Sequence, residues 1–239
     1  MATYVLVHGG GHGGWCYQKV ARLLRAAGHE VYAPTMTGVG DRSHLLAPGI
    51  DLDLHIGDIV ALLFYEDLHD VILVGHSYGG MVITGTADRA PDRIGQIVYL
   101  DAASPRDGQS LVDVAPALMD FARSDSRVVD GVDLVLWSSP DLGRLYGVTD
   151  PGDLAWMQRH LTPHPWRCFE QPLHLGDEAR VRAIPRTDIV CVSALTDRES
   201  PNEDRSVGAE RVWEIETGHD LMITEPRAVA DMLLRLASP

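Results

Sequence analysis

Ser77 stands in a setting that could make its hydroxyl a nucleophile. The pentapeptide GHSYG at 75–79 fits the pattern G-x-S-x-G, and it follows an apolar run at 71–74 that is typical of a buried strand. A serine hydroxyl reacts only when it is held out from the backbone, close to a base and beside N–H groups that can receive an oxyanion. A sharp turn from strand to helix meets these needs. We therefore predict Ser77 as a nucleophile and the backbone N–H of Tyr78 as one oxyanion donor.

A nucleophilic serine needs a general base, and among the 11 histidines the sequence favours His219. This residue lies in a loop directly after the last apolar run, residues 211–215. The acid that orients the base is predicted to be Asp197, because it follows the preceding strand and completes the order serine, acid, histidine. Asp101, at the end of an earlier strand, is the alternative. Lesser candidates for the acid are Glu199 and Asp204.

The second oxyanion donor is expected in the glycine-rich loop HGGGH at 8–12, where Gly10 fits the position. A glycine-rich loop could instead bind phosphate. The chain, however, has neither a G-K-S/T sequence nor a G-x-G-x-x-G sequence followed by a helix and a ribose-binding acid. We therefore predict Gly10 as the second donor and no nucleotide site.

The elements that must position these residues follow from the hydrophobic pattern. Short apolar runs alternate with segments of helical periodicity, which predicts a mostly parallel sheet flanked by helices. In such a sheet catalytic groups collect outside the carboxyl ends of the strands. We therefore predict an α/β fold with six strands. The predicted strands are 3–7, 30–33, the run before Ser77, 94–100, 187–194 and 211–215, and the predicted helices are 15–27, 54–63, the segment after Ser77 and 228–236.

Between 106 and 186 the alternation of strands and helices stops. Aromatic residues lie among Pro, Gly and Asp, and the helical patterns are short, as at 154–161. We predict a core formed by 1–105 and 187–239, with 106–186 inserted as a cap. Aromatic side chains there could pack on a ligand, although the interior of a cap needs them equally. The residues expected to contact substrate are His12, Trp15, Trp137 and Trp166.

The composition limits the classes of function. A chain of 239 residues with a formal charge of −14 suits one α/β domain and would repel nucleic acid and anionic lipid. Neither a leader segment nor an apolar run of ~18 residues is found, so we expect a cytoplasmic protein without membrane partners. Its 3 cysteines lack metal-type spacing, which predicts neither a disulfide framework nor a metal site. No cofactor is expected, and the oligomeric state stays open.

Three segments together carry a family resemblance. Residues 5–15 contain HG-x-x-HG-x-W, 71–81 contain the serine turn, and 218–222 read GHDLM. They resemble the plant-type esterase and hydroxynitrile lyase family of the α/β-hydrolase superfamily and its bacterial relatives. The resemblance implies an α/β-hydrolase fold and cofactor-free chemistry. By the same resemblance the triad would be Ser77, Asp197 and His219, and the oxyanion donors would be Gly10 and Tyr78.

Two departures from the family pattern favour hydrolysis. Lyases of this family carry threonine where this chain has Gly9, and lysine where it has Asp220. The lysine stabilises departing cyanide, whereas an aspartate would repel it. Hormone receptors of the superfamily keep a triad but mainly bind, so a ligand-binding module with little turnover is the alternative from another class.

Two further segments indicate a substrate class. Residues 35–44 and 161–166 are similar to those of bacterial esterases that include hydrolases of carbendazim, a methyl carbamate on a flat benzimidazole. Planar substrates would suit an aromatic cap. The sequence therefore predicts a serine hydrolase of small, mostly apolar carboxylic esters or aryl carbamates such as carbendazim, acting through an acyl-enzyme.

Overall fold

The computed structural model of the protein describes residues 1–192 and 209–237. The strands are β1 (Thr3–Val7), β2 (Glu30–Tyr32), β3 (Val71–His76), β4 (Ile94–Leu100), β5 (Ser126–Val129), β6 (Val132–Val135), β7 (His164–Pro165), β8 (Arg186–Cys191) and β9 (Arg211–Ile215). The helices are α1 (Gln18–Ala26), α2 (Leu52–Tyr65), α3 (Gly79–Arg89), α4 (Leu111–Val114), α5 (Pro116–Ser124), α6 (Leu142–Tyr146), α7 (Pro151–His160), α8 (Arg167–Glu170), α9 (Glu178–Arg182), α10 (Leu221–Thr224) and α11 (Pro226–Leu236).

A six-stranded sheet in the order β2-β1-β3-β4-β8-β9 forms the centre of the molecule. Every neighbouring pair in it is parallel. Strand β3 is buried along its whole length, as its continuous apolar sequence predicts for a strand covered on both faces. The predicted α/β fold with a mostly parallel six-stranded sheet is confirmed. Strand β2 is one residue shorter than predicted, because Ala33 precedes Pro34, whose nitrogen carries no hydrogen for pairing.

Helices flank the sheet and close its core. Helix α1 packs against α11, and α2 packs against α3. Helix α1 buries Val20, Ala21 and Leu24, which recur at the three-to-four-residue spacing of one helix face. Among the described helices, none combines the length and the apolar character that crossing a bilayer requires.

The segment between β4 and β8 differs from the rest of the chain. It contains the small antiparallel sheet β5-β6-β7 and the short helices α4 to α9. The helical pattern predicted at 154–161 corresponds to α7. The sequence did not predict the small sheet, because β5 is mostly exposed and β7 has only two residues, one of them Pro165. Hydrogen bonds join this segment to the core, among them Thr162 N–H to Gly11 O at 2.9 Å and Gly40 N–H to Thr162 Oγ1 at 2.8 Å.

The parallel topology brings the chemistry-bearing residues to one edge of the sheet. The glycine-rich loop follows β1, Ser77 follows β3, Asp101 follows β4, and His219 lies in the loop after β9. Since the carboxyl ends of parallel strands meet at the same edge, these four segments converge there.

Candidate active site

Ser77 occupies the turn between β3 and α3. Its φ is 53°, a left-handed conformation that costs a non-glycine residue about 1–2 kcal/mol. Its carbonyl oxygen accepts the N–H groups of Gly80 and Ala103, both at 3.0 Å, and these bonds hold the turn. Strain of this kind is concentrated at functional sites, where it presents a side chain that an ordinary turn would not. The strand, turn and helix predicted around Ser77 are therefore present.

Tyr78 follows the serine and is the N-cap residue of α3. The backbone N–H that we predicted as an oxyanion donor thus belongs to the positive end of a helix dipole. The side chain points into the protein, where its hydroxyl lies 3.0 Å from His55 Nδ1. Burial raises the pKa of the Tyr78 hydroxyl well above its ordinary value, so the side chain stays neutral.

His219 contacts a carboxylate that is buried with it. Asp101 Oδ2 lies 2.5 Å from His219 Nδ1, and both side chains are almost completely buried. A carboxylate only accepts, so Nδ1 donates and the imidazole is held in the tautomer whose Nε2 can receive a proton. Asp101 has a left-handed φ of 45°, and its N–H donates to Ile189 O at 2.7 Å. The turn after β4 thus aims this carboxylate at the histidine.

The acid predicted first, Asp197, lies outside the described residues, as do Glu199 and Asp204. Asp197 therefore stays a prediction, and within the described residues the alternative, Asp101, contacts His219. A second histidine supports the loop: His76 Nε2 donates to His219 O at 2.9 Å. Burial lowers the pKa of His76 to about 3, so this ring is neutral.

His8 orients the peptide that contains the backbone N–H of Gly10, the predicted oxyanion donor. His8 Nε2 accepts the N–H of Met36 at 3.1 Å, so its proton is on Nδ1, which donates to Gly9 O at 2.8 Å. Burial lowers the pKa of His8 to about 3, which keeps this tautomer neutral. In a trans peptide the N–H points opposite to the C=O, so the Gly10 N–H points away from His8. Sequence reasoning did not assign this role to His8, although the His-Gly pair was its signal.

Two more histidines hold the next peptide, between Gly10 and Gly11. His12 Nδ1 donates to Gly10 O at 2.9 Å, and the N–H of Gly11 donates to His164 Nδ1 at 3.2 Å. We predicted His12 as a substrate contact. Its side chain is only 1% exposed and holds the loop through its bond to Gly10 O, and its contact with substrate stays a prediction.

Trp137 lies directly on the glycine-rich loop. A Cβ atom on Gly11 would lie 2.4 Å from Trp137 Cδ1, and one on Gly10 would lie 3.1 Å from Trp137 Cζ2. Trp137 has a left-handed φ of 53°, which a bulky residue rarely adopts. This strained tryptophan therefore covers the loop of the proposed oxyanion hole, and its predicted contact with substrate is consistent with that position.

The other two predicted contacts, Trp15 and Trp166, lie in different surroundings. Trp15 stacks on His12 with ring centroids 5.3 Å apart and lines a cleft of about 460 Å³. The remaining lining residues of that cleft are Gly14, Ala33, Thr35, Gly40, Asp41, Arg159, His160 and Thr162. Trp166 donates from Nε1 to Glu170 Oε2 at 2.7 Å and lies under Arg123. These contacts favour a packing role for Trp166, and both tryptophans remain only predicted substrate contacts.

The close contact of Trp137 with the loop predicts a large effect of Gly11→Ala. Alanine would bring both the strain of a φ of +74° and a clash with the indole ring. We expect a loss of about 2–4 kcal/mol in the free energy of unfolding, measured by chemical denaturation. Gly28→Ala is the matched control, because Gly28 has a φ of +86° but no heavy atom lies within 4 Å of the place its new methyl group would take. It should lose only about 1 kcal/mol. Equal losses in the two variants would contradict the packing of Trp137 on the loop.

Two groups of described residues have the composition of a metal site. The first is His55, His164 and Cys168, and the second is Asp101, Cys191 and His219. In the first group His164 Nδ1 accepts the N–H of Gly11, so its proton is on Nε2 and no lone pair remains for a metal. In the second group His219 Nδ1 donates to Asp101. In both groups, hydrogen bonds thus occupy the Nδ1 atom of a histidine.

Fold and site together define a class of protein. A parallel sheet, a serine on a left-handed turn between strand and helix, and a histidine–carboxylate contact at the same edge are the features of an α/β-hydrolase. The chain belongs to the α/β-hydrolase family, whose model matches residues 4–232.

Several sequence relatives within this family carry the names of esterases. The chain is 38% identical over 251 residues to the carbendazim hydrolyzing esterase of Nocardioides sp. (strain SG-4G), covering 99% of this chain and 100% of that protein. It is 29% identical over 275 residues to methylesterase 1 of Arabidopsis thaliana, covering 98% and 95% of the two chains. The resemblance to plant-type esterases and their bacterial relatives is confirmed, and these relatives support an esterase function.

Solved structures of other proteins support the assignment to the α/β-hydrolase family. An extracellular α/β-hydrolase from a Paenibacillus species, described as a structural and functional homologue of tobacco salicylic acid binding protein 2, superposes with a TM-score of 0.81 at 25% identity over 98% of both chains. The methylesterase MES16 from Arabidopsis gives a TM-score of 0.78 at 26% identity over 99% of both chains. The similarity thus spans the whole fold, including the segment between β4 and β8.

Proposed function

We propose that the protein is a serine hydrolase of small, mostly apolar carboxylic esters and of aryl carbamates such as carbendazim. The observation that carries the proposal is that the strained Ser77 turn and the contact between His219 and Asp101 lie at the same carboxyl edge of the sheet. The first supplies a presented hydroxyl, and the second supplies a base with a fixed tautomer.

In the proposed reaction His219 Nε2 takes the proton of Ser77 as Oγ attacks the carbonyl carbon. The backbone N–H groups of Gly10 and Tyr78 receive the oxyanion. When the tetrahedral intermediate collapses, the bond to the leaving group breaks and His219 returns the proton to it. Water, deprotonated by His219, then releases the acid and restores Ser77. No cofactor takes part in this sequence of steps.

A carbamate could react at either of two bonds. Loss of the alcohol would leave a carbamoyl group on Ser77, whereas loss of the amine would leave an alkoxycarbonyl group. The oxyanion donors and His219 would act in the same way on both routes, so the chemistry of the site permits each.

The proposed substrate class has support from the cap and from one relative. We propose that residues 106–186 form a cap over the core and that Trp137 presents part of a flat, apolar wall to the substrate. Planar ligands pack well on aromatic rings. The name of the Nocardioides relative states that it hydrolyses carbendazim.

A substrate panel tests this proposal. We expect turnover of aryl esters, methyl esters and a methyl N-arylcarbamate, followed by release of alcohol or amine, and we expect short apolar acyl groups to give the highest kcat/KM. Ser77→Ala is the blank for every substrate. A panel without turnover, combined with tight binding of a flat ligand, would support the receptor-like alternative and contradict hydrolysis.

The lyase alternative conflicts with packing at two positions. A Cβ atom on Gly9 would lie 2.9 Å from both His76 Nδ1 and Ser77 Cβ, so the threonine that lyases carry there has no room. Asp220, which stands where lyases have lysine, is completely buried and bonded to His12. Because the charge of Asp220 is paired with His12, repulsion of cyanide is not the argument against a lyase. The argument is that position 220 lacks the cation that would stabilise departing cyanide.

We extend the proposal to a cytoplasmic protein that acts on small molecules and has neither nucleic acid nor membrane partners. The buried thiols Cys16 and Cys168 support this location, because oxidising compartments favour disulfides. The charge of −14 supports the lack of anionic partners. Cell fractionation with an antibody against the native protein tests the location.

A further inference from the structure

His12 and Asp220 form a buried ion pair beside the proposed active site. His12 Nε2 lies 3.0 Å from Asp220 Oδ2, and the two side chains are 1% and 0% exposed. His12 Nδ1 faces the carbonyl oxygen of Gly10 at 2.9 Å. A carbonyl oxygen only accepts, and so does an ionised carboxylate, so beside an ionised Asp220 both ring nitrogens of His12 donate and each carries a proton. The pair is therefore an imidazolium and a carboxylate.

The electrostatic surroundings agree with this assignment. Burial acts to lower the pKa of His12, but the charge of Asp220 and the hydrogen bonds to Asp220 and Gly10 hold it above its ordinary value. Burial acts to raise the pKa of Asp220, but His12, followed by His76 and His219, holds it below its ordinary value. Each group thus keeps the other charged inside the protein.

Stability alone does not account for this pair. Buried ion pairs are often no more stabilising than apolar side chains of the same volume. Asp220 Oδ1 also has no hydrogen-bond partner within the described part of the chain, and His76 Nε2, 3.8 Å away, donates to His219 O instead. Within the described residues the pair thus lacks the further hydrogen bonds that make a buried ion pair favourable for folding.

The two ends of the pair lie beside the two groups that become charged in the proposed reaction. The positive end, His12, donates to the carbonyl oxygen of Gly10, and the N–H of the same residue, on the preceding peptide, is a proposed oxyanion donor. The negative end, Asp220, follows His219 in the chain, and its Oδ1 lies 3.8 Å from His76 Nε2, which donates to the carbonyl oxygen of His219. In the tetrahedral intermediate the oxyanion is negative and His219 is positive. The pair therefore opposes each developing charge with one of the other sign.

We propose that the His12–Asp220 ion pair is a fixed dipole that stabilises the charge separation of the tetrahedral intermediate. Such groups lower a barrier because they are already oriented before the reaction begins. Both residues act through the glycine-rich loop and through the His219 loop, and the inference requires no contact of either with substrate, so they are positioning residues. The inference rests on the proposed function, since it requires an oxyanion and a protonated His219.

Asp220→Asn tests the dipole because it removes the charge and keeps the shape. Without its anionic partner, buried His12 loses the interaction that keeps it protonated, and both charges vanish. We expect kcat for an aryl ester to fall about 10- to 100-fold while KM changes less than about threefold, because the ground state has no separated charge. The double variant His12→Gln/Asp220→Asn should have nearly the kcat of Asp220→Asn, since the dipole is already lost in the single variant.

Asp188→Asn is the matched control. Asp188 is a buried carboxylate in β8 that accepts two hydrogen bonds of 2.7 Å from Arg186. This variant should lower the melting temperature and leave kcat unchanged when both are assayed well below unfolding. The inference is overturned if Asp220→Asn keeps kcat within about twofold of the wild type or loses only thermal stability while Ser77→Ala is inactive. Activity that survives Ser77→Ala would instead overturn the proposed function, so the two failures are distinguishable.

Discussion

Replacing Ser77 with alanine is expected to lower kcat for aryl and methyl esters by roughly 10⁴- to 10⁶-fold. The side chain supplies the bond-forming oxygen, and no neighbouring group replaces it on the strained turn. Alanine adopts the left-handed φ of 53° no less readily than serine, so the turn and its two carbonyl hydrogen bonds should persist. The melting temperature should therefore change by only a few degrees. Stopped assays with excess enzyme, corrected for background hydrolysis, measure the residual rate.

Ser110→Ala is the matched control for Ser77→Ala. Ser110 is buried, and its hydroxyl caps α4 in a reciprocal pair of hydrogen bonds with Asp113. Losing the cap should cost about 1 kcal/mol of stability and leave kcat intact. If Ser77→Ala kept near-normal turnover while folded, the nucleophile would have to be another residue and the mechanism proposed above would be wrong.

Sequence reasoning could predict the sheet because its strands carry their own signals. Strand β3 is a continuous apolar run that is too short for a helix, and the glycines around Ser77 mark the turn that follows it. Parallel pairing then determines which ends converge. This is why the edge that holds Ser77 and His219 could be located from periodicity and turn residues alone.

The supports of the site could not be predicted in the same way. The roles of His8, His12 and His164 depend on which atoms of the loop each ring reaches, and His164 lies 153 positions from its partner Gly11. Nothing in the spacing of a histidine specifies its tautomer. The small sheet of β5, β6 and β7 was missed for a related reason, because its strands are short and mostly lack an alternating pattern.

The burial of Asp220 shows the limit of reasoning from a motif. The departure from lysine to aspartate at 220 was visible in the sequence, and it correctly favoured hydrolysis over lyase chemistry. Its physical consequence was not visible, because the partner His12 is 208 positions away in the chain. The sequence alone suggested that the charge of Asp220 would repel cyanide, whereas in the folded protein this charge is paired with His12.

Asp101→Asn is expected to lower kcat by about 10³- to 10⁴-fold with little change in KM. Asparagine can present its amide nitrogen to His219 Nδ1, which would then have to accept. The ring would keep its position and place its proton on Nε2, where it cannot take the proton of Ser77. Asp101 Oδ2 lies 2.5 Å from His219 Nδ1, so the substitution acts on the very atom whose protonation must change. Steady-state kinetics of the purified variant measure it.

Asp197→Asn, assayed beside it, decides between the two carboxylates. The order of residues along the chain favours Asp197, whereas the observed hydrogen bond favours Asp101. If Asp101 alone orients His219, Asp197→Asn should retain kcat within about threefold of the wild type. If Asp197→Asn loses most of its kcat and Asp101→Asn keeps nearly all of it, Asp197 is the acid that orients His219. Large losses in both would mean that His219 depends on two carboxylates, and the double variant would then be little worse than either single one, because groups that act as a unit are not additive.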